Sequence, residues 1–456
     1  MNATTLGQQI NQRVNDALWD GAMTRRVVVG TNVLETVGDC FRQCFGEATP
    51  LVVADRNTFE AAGRRVQQQL AAFSPRSLAP LLFEEQNLCA EYRHVERLKD
   101  ALAESGAVAI SVGAGTINDL AKRASAECQQ SYMSVATAAS MDGYTSFGAS
   151  VMCDGHKQTL PCAAPRVVVV DFDVLAAAPP RLNAAGYADL LAKVPAGADW
   201  LLADALGIEP IDGRAWSLVQ SRLQRWLHNP SAVRRGDRLA LAGLIEGLLM
   251  TGLAMQRTGT TRPASGAEHQ FSHLWDMQHH THRGAAPMHG EKVGLGSIAS
   301  SAVYERVLCQ ESDAICSDLE QVRHRWPTWE ALEAATRASF DDPRLADQIV
   351  EQQRQKYVGV DELSDRLARL KSCWGDLRQR LGEQLLPAEQ VCHILEAAGA
   401  PHRPEDIGIS RERLRESYNV AQQIRTRYTV LDFVLQTGWW DDCVESLFQP
   451  GGIWHE

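Results

Sequence analysis

VAISVGAGTINDLAK, residues 108–122, decides the fold. Its opening six residues are apolar or small with no alternation, as expected of a strand covered on both faces. Gly113 and Gly115 interrupt the run, and helical spacing follows from Ile117 to Ala126. Strands that turn directly into helices build mostly parallel sheets. The two glycines have no side chains there, so backbone amides can approach a pyrophosphate at a helix N-terminus. By itself the pair does not separate a phosphate loop from an ordinary strand-to-helix turn.

Working outward, RRVVVG (25–30), PLVVAD (50–55), SYMSVAT (131–137) and RVVVVDFDVL (166–175) predict four more strands, with helical spacing between them. The first half therefore reads as an α/β domain with a doubly wound, mostly parallel sheet, whose ligands bind at the strands' carboxyl ends. Asp55 closes PLVVAD at such an end. It suits either a hydrogen bond from an adenosine ribose or the cap of the next helix. ATAASMDGYTSFGASV (136–151) is small and polar, a loop fit to line a pocket. In it Asp142 is either a ligand for a substrate hydroxyl or a turn aspartate. Pro179-Pro180 breaks the chain. We place the domain boundary there: 1–180 for the nucleotide, and 181–456, read as all-α, for metal and substrate.

In the second half SGAEHQFSHLWDM (265–277) puts His269 and His273 one turn apart, and PMHGEKVG (287–294) adds His289 before a glycine. Two imidazoles and a carboxylate form a common open divalent site. Asp189 lies four residues before Lys193, which by spacing alone is an ordinary ion pair. HHTHRGAAPM adds His279, His280 and His282 in what reads as a solvated loop over the site entrance. Leu239–Met255 is apolar but carries Glu246 and three glycines, so it reads as a buried helix rather than a membrane span.

Bulk properties narrow the function. The chain has 456 residues and a net charge of −11, which gives no electrostatic reason for nucleic acid or an anionic membrane as partner. Eleven scattered cysteines without a CxxC pair read as reduced, mostly buried residues of a cytoplasmic protein. Residues 1–24 read as a polar amphipathic lead-in without a signal-peptide run.

In order along the chain, VGAGTINDLAK, VATAASMDGYTS, DFDVL, AAGYADLLAK, RPASGAEHQFSH and HGEKVG resemble the sn-glycerol-1-phosphate dehydrogenase family. That family lies within the iron-containing alcohol dehydrogenase and dehydroquinate synthase-like superfamily. The resemblance spans about residues 25–305 and resumes at IRTRYTVLDF (424–433). It implies a metal held by Asp189, His269 and His289, and His273 near the substrate in proton transfer. It also implies a nucleotide bound by Gly113, Ala114, Gly115, Thr116, Ile117, Asn118 and Asp119, with Thr137, Ser140 and Ser146. The implied reaction joins dihydroxyacetone phosphate and sn-glycerol 1-phosphate, a small phosphorylated substrate. The nucleotide is NAD, with NADP as the alternative, and a charge on Asp55 would favour NAD. The metal is one divalent ion, zinc ahead of nickel or iron(II), and the assembly is a homodimer. Lys157 and Lys193 are the candidates to neutralise the phosphate.

Two stretches depart from the family pattern. Pro195 and Gly197 should kink or end the aspartate helix just past Lys193. The polar stretch 310–420, with Trp326, Trp329 and Trp374, reads as an added helical hairpin. These departures keep open a dehydrogenase for another small phosphorylated, phosphonate or polyol carbonyl compound. A dehydroquinate synthase-like lyase shares the fold, but TAASMDG argues against it.

Overall fold

A computed structural model describes residues 3–73, 78–85, 87–153, 156–340 and 342–455. Among the described residues eight strands form: β1 (Arg26–Gly30), β2 (Pro50–Asp55), β3 (Leu81–Phe83), β4 (Val108–Gly113), β5 (Met133–Ala136), β6 (Ala149–Cys153), β7 (His156–Leu160) and β8 (Val167–Asp171). Six of them make one parallel sheet in the order β1-β8-β5-β4-β2-β3. Its strands bury both faces. Val52, Ala54, Ile110 and Val112 face one apolar cluster, while Leu51, Val53 and Ala109 face the other. That two-sided burial is why these strands read as apolar runs rather than alternating ones.

The five expected strands all form, and three further strands appear. β3 has three residues at the sheet edge. β6 and β7 pair antiparallel, so the end of the expected pocket loop, from Ala149, is a strand. The last expected strand stops at Asp171, whose side chain accepts the Asp173 amide at 3.0 Å and caps a helix over Phe172–Ala177.

The helices used below are α1 (Ala3–Asp16), α2 (Gly115–Glu127), α3 (Pro180–Leu191), α4 (Lys193–Ala205), α5 (Arg238–Thr258), α6 (Ala267–Met277), α7 (His289–Leu308), α8 (Val360–Gln384), α9 (Arg411–Gln423) and α10 (Val430–Thr437). The lead-in α1 packs along β1. The amide groups of Asn11 and Asn15 bond the backbone N–H and C=O of Val29 and Val27 at 2.7–3.1 Å. Two asparagines one turn apart thus match alternate residues of an edge strand and satisfy groups that would otherwise template another chain. α5 is long and apolar enough to cross a membrane, but 83% of its most apolar window is buried in the protein. Its Glu246 is paired with Arg13 at 2.5 Å.

Proline acts one step earlier than expected. α3 ends at Leu191, four residues before Pro195, where the proline ring excludes a helical carbonyl. α4 starts at Lys193, so Pro195 occupies its first turn, and the Ala196 amide resumes helical bonding to Ala192 at 3.0 Å.

Instead of one hairpin, the 310–420 stretch folds mainly as helices over Leu319–Arg325, Trp329–Ala338, Pro343–Lys356, Val360–Gln384 and Ala388–Ala398. Pro327, Pro343, Gly359 and Pro387 punctuate it. α8 lies on α4, and its Trp374 stacks on Phe433 with ring centroids 5.8 Å apart.

All eleven cysteines are free thiols. Only Cys40 and Cys443 are fully buried, and burial pushes the Cys443 thiol up to about 12. By packing, residues 1–190, 213–263 and 397–400 form one compact unit and 191–212, 264–396 and 401–456 a second.

Candidate metal and nucleotide site

The register of the sheet pairs Gly113 with Ala136, so the β4 and β5 carboxyl ends open side by side. The Thr137 amide donates to the Gly113 carbonyl at 3.1 Å. α2 begins at Gly115, and Ala114 ahead of it is extended and offers no side-chain cap. Its first-turn amides are therefore the kind of donors that receive a phosphate. Asn118 is buried and ties inward: its Oδ1 accepts from the Tyr132 hydroxyl at 3.1 Å. Asp119 Oδ2 accepts from the Ser150 amide at 3.2 Å, and Ile117 packs into the apolar core. Ser140 pairs with the Tyr144 hydroxyl at 3.3 Å, and Ser146 Oγ donates to the Gly143 carbonyl at 3.2 Å. Most of the predicted nucleotide residues thus build one interlocked loop system. Asp55 stands apart on β2, where its Oδ1 accepts the Thr58 amide at 2.8 Å in a capping box.

Sequence reading passed over Lys122. Fully enclosed, its ammonium donates to the carbonyls of Gly143, Ser146 and Gly148 at 2.9, 3.0 and 3.0 Å. Burial pushes its pKa down against the pull of Asp119. The signal was an apolar helix face, LAK, carrying one lysine.

The far side of the same loop rests on α3. Asn183 Oδ1 accepts from the Ala139 amide at 3.0 Å. A Cβ at Gly186 would overlap the Ala139 carbonyl, so only glycine admits this approach. One turn on, Asp189 is fully buried and its Oδ2 accepts from the Asp142 amide at 3.0 Å. The structure thus brings the backbone of Asp142 to Asp189.

In the second unit His269 and His273 share a face of α6, and His289 opens α7. Ring centroids stand 5.2 Å apart for His269–His289, 6.4 Å for His269–His273 and 6.5 Å for His273–His289. His269 Nδ1 lies 2.8 Å from Glu268 Oε1, and His289 Nδ1 lies 3.4 Å from Ser272 Oγ. Carboxylate contact at Nδ1 fixes ring orientation and presents Nε2 as the donor to a metal. Glu268 in turn accepts the Gly266 amide at 2.6 Å. Asp199, buried beside it, accepts Ala267 N at 2.7 Å, the Tyr304 hydroxyl at 2.6 Å and Val430 N at 2.7 Å. A Cβ on Gly266 would run into both carboxylates. Of the loop histidines, His280 is buried, with Nε2 2.6 Å from the Ile407 carbonyl and Nδ1 2.8 Å from Arg413. That loop is anchored at His280, although His279 and Arg283 are exposed.

Asp189, His269 and His289 each offer one ligand atom, and the three atoms lie within 4.8 Å of one another. One carboxylate oxygen and two imidazole nitrogens at that spacing, with a carboxylate behind one imidazole, fit a divalent ion. His273 lies outside the triad. Lys193, the other half of the expected ion pair, is fully enclosed. The side chain of Lys157 lies outside the described residues.

Residues 28–179 match the family model described as iron-containing alcohol dehydrogenase. A glycerol-1-phosphate dehydrogenase [NAD(P)+] of Bacillus velezensis is 33% identical over 411 residues, 90% of each chain. The chain belongs to the glycerol-1-phosphate dehydrogenase family. An archaeal relative of the same name, from Methanosarcina mazei, is 33% identical over 62% of this chain and 77% of its own. Among solved structures, a probable glycerol dehydrogenase from Sinorhizobium meliloti 1021 superposes with a TM-score of 0.59. It covers 93% of this chain and 98% of its own at 16% identity, a likeness of fold.

Proposed function

We propose that this chain interconverts dihydroxyacetone phosphate and sn-glycerol 1-phosphate with NAD(P), using a divalent metal held by Asp189, His269 and His289. The convergence of those three ligand atoms within 4.8 Å carries the reading, and the relatives' name supplies the substrate. Bound there, the ion supplies Lewis acidity toward the ketone oxygen and the nicotinamide supplies the hydride.

The chain's own residues do the rest. The first-turn amides of α2 receive the pyrophosphate. The Asp142 amide holds Asp189 in one orientation, while the Asp142 carboxylate orients a substrate hydroxyl. Glu268 holds His269. His273, one turn from His269 and outside the ligand set, passes the proton to the developing alkoxide. Asp55 Oδ1 is engaged as a helix cap, so both NADH and NADPH belong in the assay. Zinc is the first metal to test, then nickel and iron(II). A cytoplasmic homodimer, with residues 1–180 for the nucleotide and 181–456 for metal and substrate, completes the proposal.

The test is NADH and NADPH oxidation with dihydroxyacetone phosphate in protein reloaded separately with each metal, followed by chiral analysis of the product. Turnover to the sn-1 isomer is expected. Metal and nucleotide binding without turnover would overturn the substrate assignment and leave the scaffold standing.

A further inference from the structure

A substrate phosphate needs a cation, and several cations near the histidine helix are already engaged. Lys193 is fully enclosed. Lys292 is enclosed too and bonds Asp276. Arg427 donates to the Ser265 carbonyl at 2.8 Å. Arg413 is occupied by His280 and by Gln278, each at 2.8 Å.

Arg425 differs. It lies in the link, residues 424–429, between α9 and α10, and its surface is only half-buried. Among the described residues no hydrogen bond, ion pair or ring contact reaches its guanidinium. The surrounding protein lowers its pKa through lost hydration alone, with no carboxylate opposing. Arg325 is also shifted down by burial, but it spends its donors on the carbonyls of Thr437, Gln436 and Cys316. What sets Arg425 apart is its geometry: a half-buried guanidinium with no protein partner among the described residues, carried on a short link beside the histidine helix. Without a protein acceptor it is short of an anion.

The link is strapped to α6. Gln270, next to His269, donates to the Arg427 carbonyl at 3.5 Å and accepts from the Thr429 hydroxyl at 3.1 Å. At the link's end Val430 N donates to Asp199, which also holds the start of α6. Arg425 is therefore carried on the same framework as His269 and His273.

We infer that Arg425 receives the phosphate of the substrate on its planar N–H fork and thereby selects phosphorylated over unphosphorylated ketones. This rests on the dihydroxyacetone phosphate reading above. The nucleotide's phosphates have their own donors in the first turn of α2, which packs in the other unit.

The experiment compares Arg425→Gln and Arg425→Lys with the metal-loaded wild type, each first shown to be folded and to bind NAD(P)H. Arg425→Gln should raise KM for dihydroxyacetone phosphate about 100-fold or more. KM for the nucleotide and kcat/KM for unphosphorylated dihydroxyacetone should not move. Arg425→Lys, which keeps the charge and loses the fork, should recover part of the loss. Inorganic phosphate should compete with the substrate in the wild type and stop competing in Arg425→Gln. An unchanged KM for the phosphorylated ketone, or a rise confined to the nucleotide, would overturn the inference. If wild-type protein does not turn over dihydroxyacetone phosphate, the functional reading fails. Calorimetry with inorganic phosphate then decides Arg425 separately: binding lost in Arg425→Gln supports it, and equal or absent binding in both proteins refutes it.

Discussion

Replacing Lys122 by methionine tests how the 142–148 loop is held. The ammonium makes three hydrogen bonds to carbonyls, at 2.9–3.0 Å, inside the protein. Bonds to a charged group contribute about 1.5–3 kcal/mol each, so the gross loss is about 4.5–9 kcal/mol. Not having to bury an ammonium returns several kcal/mol, and methionine fills most of the stem's volume. The net destabilisation should be about 3 kcal/mol, read as a fall in unfolding free energy in urea at constant m-value. The same substitution should reach the metal. Gly143, one of the three tethered carbonyls, follows Asp142, whose amide holds Asp189 at 3.0 Å. Loosening that loop should weaken zinc binding by about tenfold, as for other losses of outer support at a metal site. Isothermal titration of metal-free protein, at a temperature where the variant is folded, measures it. A variant destabilised by less than about 1 kcal/mol that binds zinc like the wild type would refute the argument.

Four further outcomes are expected. Glu268→Gln removes the carboxylate behind His269 Nδ1 and should cost about 10- to 100-fold in zinc affinity; competition with a chelator reads this without any turnover. Asp199→Asn sets an amide N–H against one of three donors and should destabilise by about 2–4 kcal/mol in chemical unfolding, whereas a change below the error would show the hub to be dispensable. Asn11→Ala with Asn15→Ala bares the β1 edge, so light scattering should show concentration-dependent association in the variant. Finally, burial lowers the pKa of both His94 and His280. At His94 Glu85 opposes the shift and Arg93 adds to it; at His280 the Ile407 carbonyl opposes and Arg413, Lys292 and His282 add. The unfolded chain then binds more protons, so stability should be full above about pH 6.5 and fall as pH drops toward the folded values; a urea midpoint flat from pH 7.5 to 5 would contradict this.

Some of this was legible because its physics is local. Val108–Gly113 and Val167–Asp171 are apolar on both faces and could only be buried strands. β3 escaped notice since three residues carry no period, and β6–β7 since Ala149–Cys153 continues a segment of small residues that reads as loop and HKQTL is mostly polar. Pro195 was recognised as a helix breaker, but its ring acts on the residue four earlier, so the break falls at Ala192 rather than after Lys193. The lead-in helix looked merely amphipathic. Its two asparagines acquire meaning only once Val27 and Val29 lie beside them.

By itself the sequence determined five of the sheet's six strands, the glycine turn, the family and, through that resemblance, Asp189, His269 and His289 as candidate ligands. Those depend on residue type and on spacing within one segment. Tertiary structure alone decided what stands behind them: Lys122 under the loop, the Asp142 amide on Asp189, Glu268 behind His269, Asp199 between helix starts, and Arg425 without an acceptor among the described residues. Each is a matter of which polar group meets which across tens to hundreds of residues, and a buried donor or acceptor has no signature in sequence until its partner is known.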